Sequence, residues 1–478
     1  MLEQGFDLRH TVEFINIEER IPKNHLLRKI DASVDFTHIY DLVGAQYSKD
    51  MSRRSVDPVV LFKIVLLQHL YGIPSLRQTI RDIDMNMAYR WFLGYNLSES
   101  IPHFATVSYA FAKRYDSNVS QEVFEWILNE AQRAGYLAPE AVFIDATHIK
   151  ANANLKKSCK KAIPQAARVY DEQLRAEINA DRQAHGKKPF DDDDSDSDDT
   201  PPQTPTKQVV QSTTDPESGL FHKGEHKKCF AYGAHTACDK NNFILAVEVT
   251  PGNVHDSVVF DSVYDQVTTR FPAVQRVAMD AGYKTPWIAK RVFDDGRFPS
   301  FPYKRPMTAD YGHKWYEYVY DEYYDCVLCP EYKILNYSTT NKDGYREYKS
   351  KAHQCEQCPT RQQCTHSKSC QKVVTRHIWA DYLERAEDVR HTPQGKAVYA
   401  LRSQTIERVF ADAKEKHAMR YTNHRGLARV TAWVRFKFAA MNLKKLANWR
   451  WKNRLSCYIS FTFSLFFPFY TKRKFSCE

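Results

Sequence analysis

Two aspartates, Asp145 and Asp280, each stand directly after a short run of apolar residues. The first follows residues 141–144 and the second follows residues 277–279. A short, unbroken apolar run is typical of a strand buried on both faces, and ligands collect where such strands end. One aspartate at the end of a strand usually has no chemical role, but here the pattern occurs twice. The repetition predicts that both strands end at their acids and that the acids form a site.

A third carboxylate, Glu407, lies in residues 395–420, whose apolar positions recur with the spacing of a helix. Lys414 follows seven residues later, which is two turns along the same helical face. Three carboxylates fit two-metal phosphoryl transfer, because Mg²⁺ or Mn²⁺ prefers oxygen ligands and two such ions stabilise the attacking and leaving oxygens. We expect Asp145 to bridge both ions, Asp280 to bind one and Glu407 the other.

The order of elements around these acids is typical of an α/β protein. A strand ending at Asp145 precedes a predicted hairpin, in which residues 230–238 and 243–250 flank a polar turn. A helix over residues 256–267, the Asp280 strand, a helix over residues 286–294 and a short strand near residues 298–302 follow. This order predicts a ribonuclease-H-like catalytic core, in which the first and fourth strands bring their acids together. No glycine-rich phosphate loop and no G-x-S-x-G sequence supports nucleotide hydrolysis or serine-esterase chemistry.

The sequence predicts an all-helical domain in the N-terminal part of the chain, at residues 53–136. Asp57-Pro58, a Ser75–Gln78 capping pattern and Gly94 mark the ends of short helices. Short helices with tight turns favour a helix-turn-helix DNA-binding domain, but a plain bundle with solvated arginines explains this region equally well. Seven cations of this region are candidates for phosphate contacts: Arg53, Arg54, Arg77, Arg81, Arg90, Lys113 and Arg114. The boundaries predicted along the chain are a leader (1–52), this helical domain (53–136), the catalytic domain (137–420), a basic helical segment (421–454) and a hydrophobic tail (455–478).

Two insertions interrupt the predicted catalytic domain. Residues 155–228 are polar, with a helix-like stretch at residues 165–185 and a run of seven aspartates within residues 191–199, and the low apolar content predicts a disordered, acidic tether. Residues 303–382 contain two C-x2-C pairs, Cys326/Cys329 and Cys355/Cys358, separated by 25 residues. This spacing predicts a structural Zn²⁺ site, for which Cys364, Cys370, His353 and His366 are alternative ligands. Free cytosolic thiols or an iron–sulfur cluster would give the same pattern.

The charge of the chain favours a polyanionic partner. Its formal net charge is +10, and residues 402–454 contain fourteen Lys or Arg against three acids. Each cation placed on a phosphate releases condensed counterions, so this segment is the best candidate for a DNA surface. The start of the chain lacks the apolar core of a signal peptide, which predicts a cytoplasmic protein. The apolar residues 457–470 are too few to span a bilayer.

With these motifs in place, the sequence resembles the DDE transposases of bacterial insertion sequences, in the branch with a Y–R–E–K signature. Its counterparts here are Tyr399, Arg402, Glu407 and Lys414, with four residues between Arg402 and Glu407 where three are usual. The other matches are Asp145-Ala146-Thr147 to the family's D-[AGS]-T motif, Asp280-Ala281-Gly282-Tyr283 to its D-x-G-Y motif, and the helical block from residue 53 to its N-terminal domain.

The resemblance implies a divalent metal, binding to terminal inverted repeats, strand cleavage and strand transfer by a homo-oligomer on double-stranded DNA. It implies that Tyr399, Arg402 and Lys414 hold DNA near the acids, and we add the neighbouring Arg408. His148 and His255 lie near the presumed site and are interpreted as structural groups or DNA contacts. Two alternatives stay open, a DNA-binding remnant that no longer cuts and a nuclease that uses the same acids without strand transfer.

Overall fold

The protein is described here from a computed structural model, which describes residues 12, 14–47, 55–164, 170–190, 206–223, 227–304 and 312–466. The helices are α1 (Ile17–Arg20), α2 (Leu26–Asp31), α3 (His38–Val43), α4 (Pro58–Leu70), α5 (Leu76–Met85), α6 (Met87–Leu93), α7 (Phe104–Arg114), α8 (Ser117–Arg133), α9 (Asp171–Ala184), α10 (Asp256–Arg270), α11 (Pro286–Asp294), α12 (Ala352–Glu356), α13 (Arg361–Cys364), α14 (Ala380–His391), α15 (Pro393–Ala400), α16 (Ile406–Glu415) and α17 (Leu427–Phe466). The strands are β1 (Ala141–Lys150), β2 (Ser158–Pro164), β3 (Thr206–Ser212), β4 (Gly219–Lys223), β5 (Lys227–Asp239), β6 (Ile244–Pro251), β7 (Arg276–Met279), β8 (Phe298–Ser300), β9 (Val319–Asp321), β10 (Cys326–Leu328), β11 (Ile334–Thr340), β12 (Tyr345–Lys349) and β13 (Val373–His377).

A mixed six-stranded sheet forms the centre of an α/β structure. Its order is β4-β5-β1-β7-β8, and β6 also pairs with β5. The β5–β6 hairpin, α10, α11 and β8 confirm the elements predicted from the sequence. Strand β1 pairs antiparallel with β5 and parallel with β7, so the two strands that carry the candidate acids are neighbours.

Strand β1 differs from its prediction, because it continues past Asp145 to Lys150. Its second half keeps pairing with β5, as far as Lys150 opposite Ala231. Thr147 and Ile149 are buried there, so residues after Asp145 still contribute to the core. Asp145 therefore lies where the neighbouring β7 ends, and not where its own strand ends.

The N-terminal helices pack against the long helix α17, which also contacts the central sheet through β6. Asp57 caps α4 through Val59 N, and Ser75 caps α5 through Gln78 N, as the sequence predicts. The long helix α17 packs on α2, α4, α8 and β6. The buried Asn442 of α17 accepts a hydrogen bond from Ile244 N and donates one to Ile244 O, at 2.9 and 2.8 Å. Arg90 was a candidate for phosphate contact, but it is buried and bonded to Asp84, so that prediction is wrong.

The two insertions contain regular structure and pack on each other. Strands β9–β13 form a five-stranded antiparallel sheet in residues 303–382. Arg182 of α9 donates to Thr340 O at 2.8 Å, and Asp181 accepts from Arg346 Nε at 2.9 Å. Helix α9 and strands β2–β4 thus contradict the predicted disorder for the described part of residues 155–228, because α9 docks on this second sheet. The acidic run at 191–199 lies outside the described residues, as do Arg53, Arg54 and residues 467–478 of the tail.

The predicted helix over residues 395–420 is interrupted. A 3₁₀ turn, Leu401–Gln404, separates α15 from α16, and Thr405 adopts φ −112° and ψ −100° at the junction. The interruption changes the direction of the Arg402 side chain relative to Glu407. Within the described part of the chain, no helix has an apolar stretch long enough to cross a membrane.

Candidate active site

Asp145 and Asp280 occupy equivalent positions on two parallel, hydrogen-bonded strands. Ile144 of β1 lies opposite Met279 of β7, so each aspartate is the next residue along its strand. Each carboxylate also accepts a hydrogen bond from the backbone amide of the next residue. Asp145 Oδ1 accepts from Ala146 N at 2.8 Å, and Asp280 Oδ1 accepts from Ala281 N at 2.7 Å, which caps a 3₁₀ turn. These local bonds fix both carboxylates at one edge of the sheet.

Arg402 joins the two acids. Its Nη2 donates to Asp145 Oδ2 at 2.6 Å, and its Nη1 lies 3.5 Å from Asp280 Oδ1 and 3.3 Å from Tyr399 Oη. Only 5 % of Arg402 is exposed, and its Nε has no hydrogen-bond partner among the described residues. The 3₁₀ turn between α15 and α16 directs this guanidinium inward, where its single positive charge pairs closely with Asp145 and lies near Asp280.

The environment of Asp145 strongly favours a nearby cation. Burial raises the pKa of Asp145 to about 6, while Arg402 opposes this rise and the negative charges of Asp280 and Asp256 add to it. A buried carboxylate is stable as an anion only when a positive charge accompanies it. Two neighbouring carboxylates are also the donor type that hard divalent ions prefer. The donor chemistry therefore fits Mg²⁺ or Mn²⁺, and a bound ion would supply the charge that Arg402 supplies here.

Glu407 does not join Asp145 and Asp280 in one group of metal ligands. It lies in the first turn of α16 and is exposed, as is Arg408, while Lys414 on the same helix is partly buried. In the ranges that the structure covers, no three His, Cys, Asp or Glu side chains lie close enough together to hold a metal ion. The two aspartates and Arg402 are thus the assembled part of the predicted site, together with the half-buried Tyr399.

The sequence reasoning missed a further acid at this edge, Asp256. A Cβ placed on Gly282 would lie 3.0 Å from Asp256 Oδ2, so the Asp256 carboxylate packs against the turn that follows Asp280. The Nδ1 of the buried His235 lies 3.6 Å from Asp256 Oδ1. Burial raises the pKa of Asp256, and Asp280 adds to the rise against the effect of His255. The sequence did contain a signal for Asp256, because this residue follows β6 at a strand-to-helix junction, where site residues often lie.

The two histidines near the presumed site make local contacts. His255 is the N-cap of α10, where its Nδ1 accepts from Ser257 N at 3.3 Å. His148 stacks on Phe221, with ring centroids 3.6 Å apart. These contacts give both rings structural roles.

The cysteines of the second insertion do not converge in the described residues. Nine described cysteines of the chain are free thiols. Cys326 and Cys370 are buried, Cys355 Sγ donates to Ser350 Oγ at 3.1 Å, and Cys358 Sγ lies 3.4 Å from Thr360 Oγ1. Cys364 Sγ lies 3.3 Å from Tyr318 Oη; burial raises the pKa of Tyr318, with further effects from Cys364 and Cys329. The predicted ligands are thus not assembled among the described residues, and the zinc site stays a prediction.

Comparison with known proteins gives two family matches. A family described as "Transposase DDE domain" matches residues 328–447, and one described as "Transposase domain (DUF772)" matches residues 15–113. The first match contains Tyr399, Arg402, Glu407 and Lys414, and the second spans α1 to α6 and most of α7. No curated protein and no solved structure matches the chain. The two matches support a DDE transposase, a class of enzyme that acts on DNA and generally uses divalent metal ions.

Proposed function

We propose that this chain is an insertion-sequence transposase of the Y–R–E–K branch, which cleaves DNA at terminal inverted repeats and transfers the strands to a target. Its core would be a ribonuclease-H-like domain at residues 137–420, and its helical domain at residues 53–136 would bind DNA. The substrate is double-stranded DNA, and the protein would act as a homo-oligomer in the bacterial cytoplasm, associated with the nucleoid.

One observation carries the proposal. Asp145 and Asp280 lie side by side on parallel strands, and the buried guanidinium of Arg402 lies between them. The Asp145 side chain is only 17 % exposed, and proteins seldom place a poorly hydrated carboxylate beside a second acid without a functional reason. A stable core would be obtained more simply with an apolar residue at position 145.

Each residue has a distinct role in the proposed reaction. Asp145, Asp280 and Glu407 would hold Mg²⁺ or Mn²⁺, with Glu407 approaching when DNA and metal are bound. The bound ions would activate a water or a 3′-hydroxyl and stabilise the leaving oxygen. Arg402 would pair with Asp145 in the free protein and contact a DNA phosphate in the complex. Tyr399, Arg408 and Lys414 would contact the backbone beside it. A structural Zn²⁺ would bind four of the six cysteines of residues 303–382.

The test is cleavage of DNA that carries the element's own ends, with Mg²⁺ or Mn²⁺, by the wild type and Glu407→Gln. The substitution keeps the side chain's shape and removes the charge that holds a metal. We expect the variant to bind the ends and to lose cleavage and joining. Specific end binding without cleavage by the wild type would instead indicate a silent remnant. Cleavage without joining would indicate a nuclease, and equal cleavage by both proteins would exclude Glu407 as the third acid.

A further inference from the structure

A basic groove of about 700 Å³ lies beyond the end of β1. Four exposed cations line it, and they come from three separate segments of the chain: Lys150, Lys157, Lys228 and Arg425. No Asp or Glu of the described residues lines this groove, and none of the four cations forms an ion pair with a described carboxylate. Four like charges held together without counter-charges favour a polyanionic ligand.

The walls of the groove are fixed by hydrogen bonds of the main chain and side chains. Lys150 N donates to Arg420 O at 3.1 Å, and Thr422 N donates to Lys150 O at 3.0 Å. Arg425 Nε donates to Asn152 O at 3.0 Å, which ties the segment before α17 to the end of β1. The cations are therefore placed on a framework that exists before a ligand binds, which lowers the entropic cost of binding.

The groove also exposes an aromatic ring. Tyr421 lies in its wall and is 42 % exposed, although its neighbour Thr422 is fully buried. A positively charged groove with an exposed aromatic side chain is the arrangement that binds single-stranded nucleic acid. The cations follow the phosphates and the ring stacks on an unpaired base.

The position of the groove relates it to the candidate active site. Lys150 follows Asp145 by five residues of the same strand, about 16 Å along the strand axis, and its side chain leaves the opposite face of β1, so a DNA strand would pass around the end of β1 to reach it. A stacked DNA strand covers this length in about five nucleotides at roughly 3.4 Å per step. A strand whose phosphate reaches Asp145 is thus long enough to enter the groove.

We propose that this groove binds a single strand of DNA that leaves the active site, with its phosphates on Lys150, Lys157, Lys228 and Arg425 and an unpaired base on Tyr421. The choice of DNA as the polyanion rests on the proposed function. The groove is thus a second DNA-binding surface. It is separate from Tyr399, Arg408 and Lys414, which would contact DNA next to the reacting phosphate.

The test measures binding of a fluorescently labelled oligothymidylate of about 20 nucleotides, longer than most single-strand sites. The full chain is titrated without divalent metal at several KCl concentrations. The groove variant is Lys150→Gln with Lys228→Gln, because neither side chain forms a hydrogen bond with a residue that the structure describes. The matched control is Lys187→Gln with Lys188→Gln, two exposed lysines outside the groove. Lys157→Gln is a second groove variant if the first double variant does not fold.

The expected result follows from counterion release. Each phosphate contact to single-stranded DNA contributes about 0.7 to the slope of log K against log salt, so the groove variant should lower the slope by about 1.4. At 0.1 M salt this corresponds to about 25-fold weaker binding. Tyr421→Ala should weaken binding about fivefold or more and leave the slope unchanged, whereas Tyr332→Ala on an exposed loop should have no effect.

The proposal is overturned if the groove variant behaves like the lysine control, or if Tyr421→Ala binds like wild type. It is also overturned if the groove variant weakens binding of a blunt duplex and not of the single strand. The result is independent of the proposed cleavage reaction. If the groove variant binds single-stranded DNA like wild type while cleavage is intact, only the groove proposal is refuted. If single-strand binding depends on the groove but no cleavage occurs, only the cleavage proposal is refuted.

Discussion

Replacement of Arg402 by Gln gives the sharpest test of the ion pair at the candidate site. The Arg402 and Asp145 side chains are 6 % and 17 % exposed, and their closest atoms are 2.6 Å apart. Removing one partner of a buried pair costs about 3–5 kcal/mol, because the other charge stays buried without compensation. Since Asp145 retains some contact with water, we expect the free energy of unfolding to fall by about 3 kcal/mol at pH 8.

The decrease in the free energy of unfolding of Arg402→Gln should depend on pH. Burial already raises the pKa of Asp145 to about 6, and removal of Arg402 takes away the main group that opposes this rise. The penalty is therefore fully present above the raised pKa that Asp145 has in the variant, and it decreases as the pH falls through that value to the wild-type pKa of about 6. At pH 5 the carboxyl is largely protonated, and the loss should shrink to about 1 kcal/mol, the value of the lost hydrogen bonds.

The assay is urea unfolding of the wild type, Arg402→Gln, Asp145→Asn and the double variant, at pH 5 and pH 8 without divalent metal. We expect a coupling energy of about 2 kcal/mol at pH 8 that nearly vanishes at pH 5. Arg408→Gln, an exposed arginine of α16, is the control and should change stability by less than about 0.5 kcal/mol. Mg²⁺ should stabilise Arg402→Gln more than the wild type. A small coupling energy, or one that is the same at both pH values, would refute the assigned electrostatics.

Three further predictions concern other parts of the structure. Gly282→Ala should destabilise the protein by about 1–2 kcal/mol in urea unfolding, because its Cβ would lie 3.0 Å from Asp256 Oδ2. Burial lowers the pKa of Lys437 to about 7, so the unfolded state binds more protons above that pH and the wild type gains stability as the pH rises towards 10. Lys437→Met should therefore be more stable than the wild type by about 2 kcal/mol at pH 6, after the lost bond to His417 O, and the difference should vanish near pH 10. Cys329→Ser with Cys358→Ser should remove one zinc ion per chain, measured by mass spectrometry of the metal content.

Each of these three predictions has a matched control. Gly44→Ala has no heavy atom within 4 Å of its new Cβ and should not destabilise the protein. Lys113→Met removes an exposed charge and should show no such pH-dependent difference. Cys159→Ser alters an exposed thiol outside residues 303–382 and should retain zinc. Equal results for a variant and its control would contradict the corresponding prediction, and so would a wild-type protein that holds no zinc.

The sequence predicts the frame of the site because its signals are local. The β5–β6 hairpin follows from two apolar runs around a polar turn, and β6 is followed by α10 as its periodicity requires. The two acids also follow from local patterns, since each comes after a short apolar run. Parallel pairing of β1 with β7 then brings Asp145 beside Asp280.

The parts that the sequence did not predict depend on contacts between distant residues. Arg402 reaches Asp145 across 257 positions of the chain, and only the 3₁₀ turn before α16 directs it there. Residues 165–185 have a helix-like pattern, but their polar composition gives no sign that α9 docks on the second sheet, where its Asp181 accepts a hydrogen bond from Arg346. Asp256 looks like an ordinary acid in the first turn of a helix until its contact with the Gly282 turn is seen.

The central claim, that the edge formed by Asp145 and Asp280 holds the catalytic metal, is tested most directly by Asp280→Cys. Mn²⁺ accepts a thiolate ligand more readily than the harder Mg²⁺. We expect this variant to lose cleavage of the element's ends in Mg²⁺ and to regain it in Mn²⁺, while Asp265→Cys on α10 cleaves with both ions like the wild type. Cleavage by Asp280→Cys at the wild-type rate in Mg²⁺ would contradict the claim.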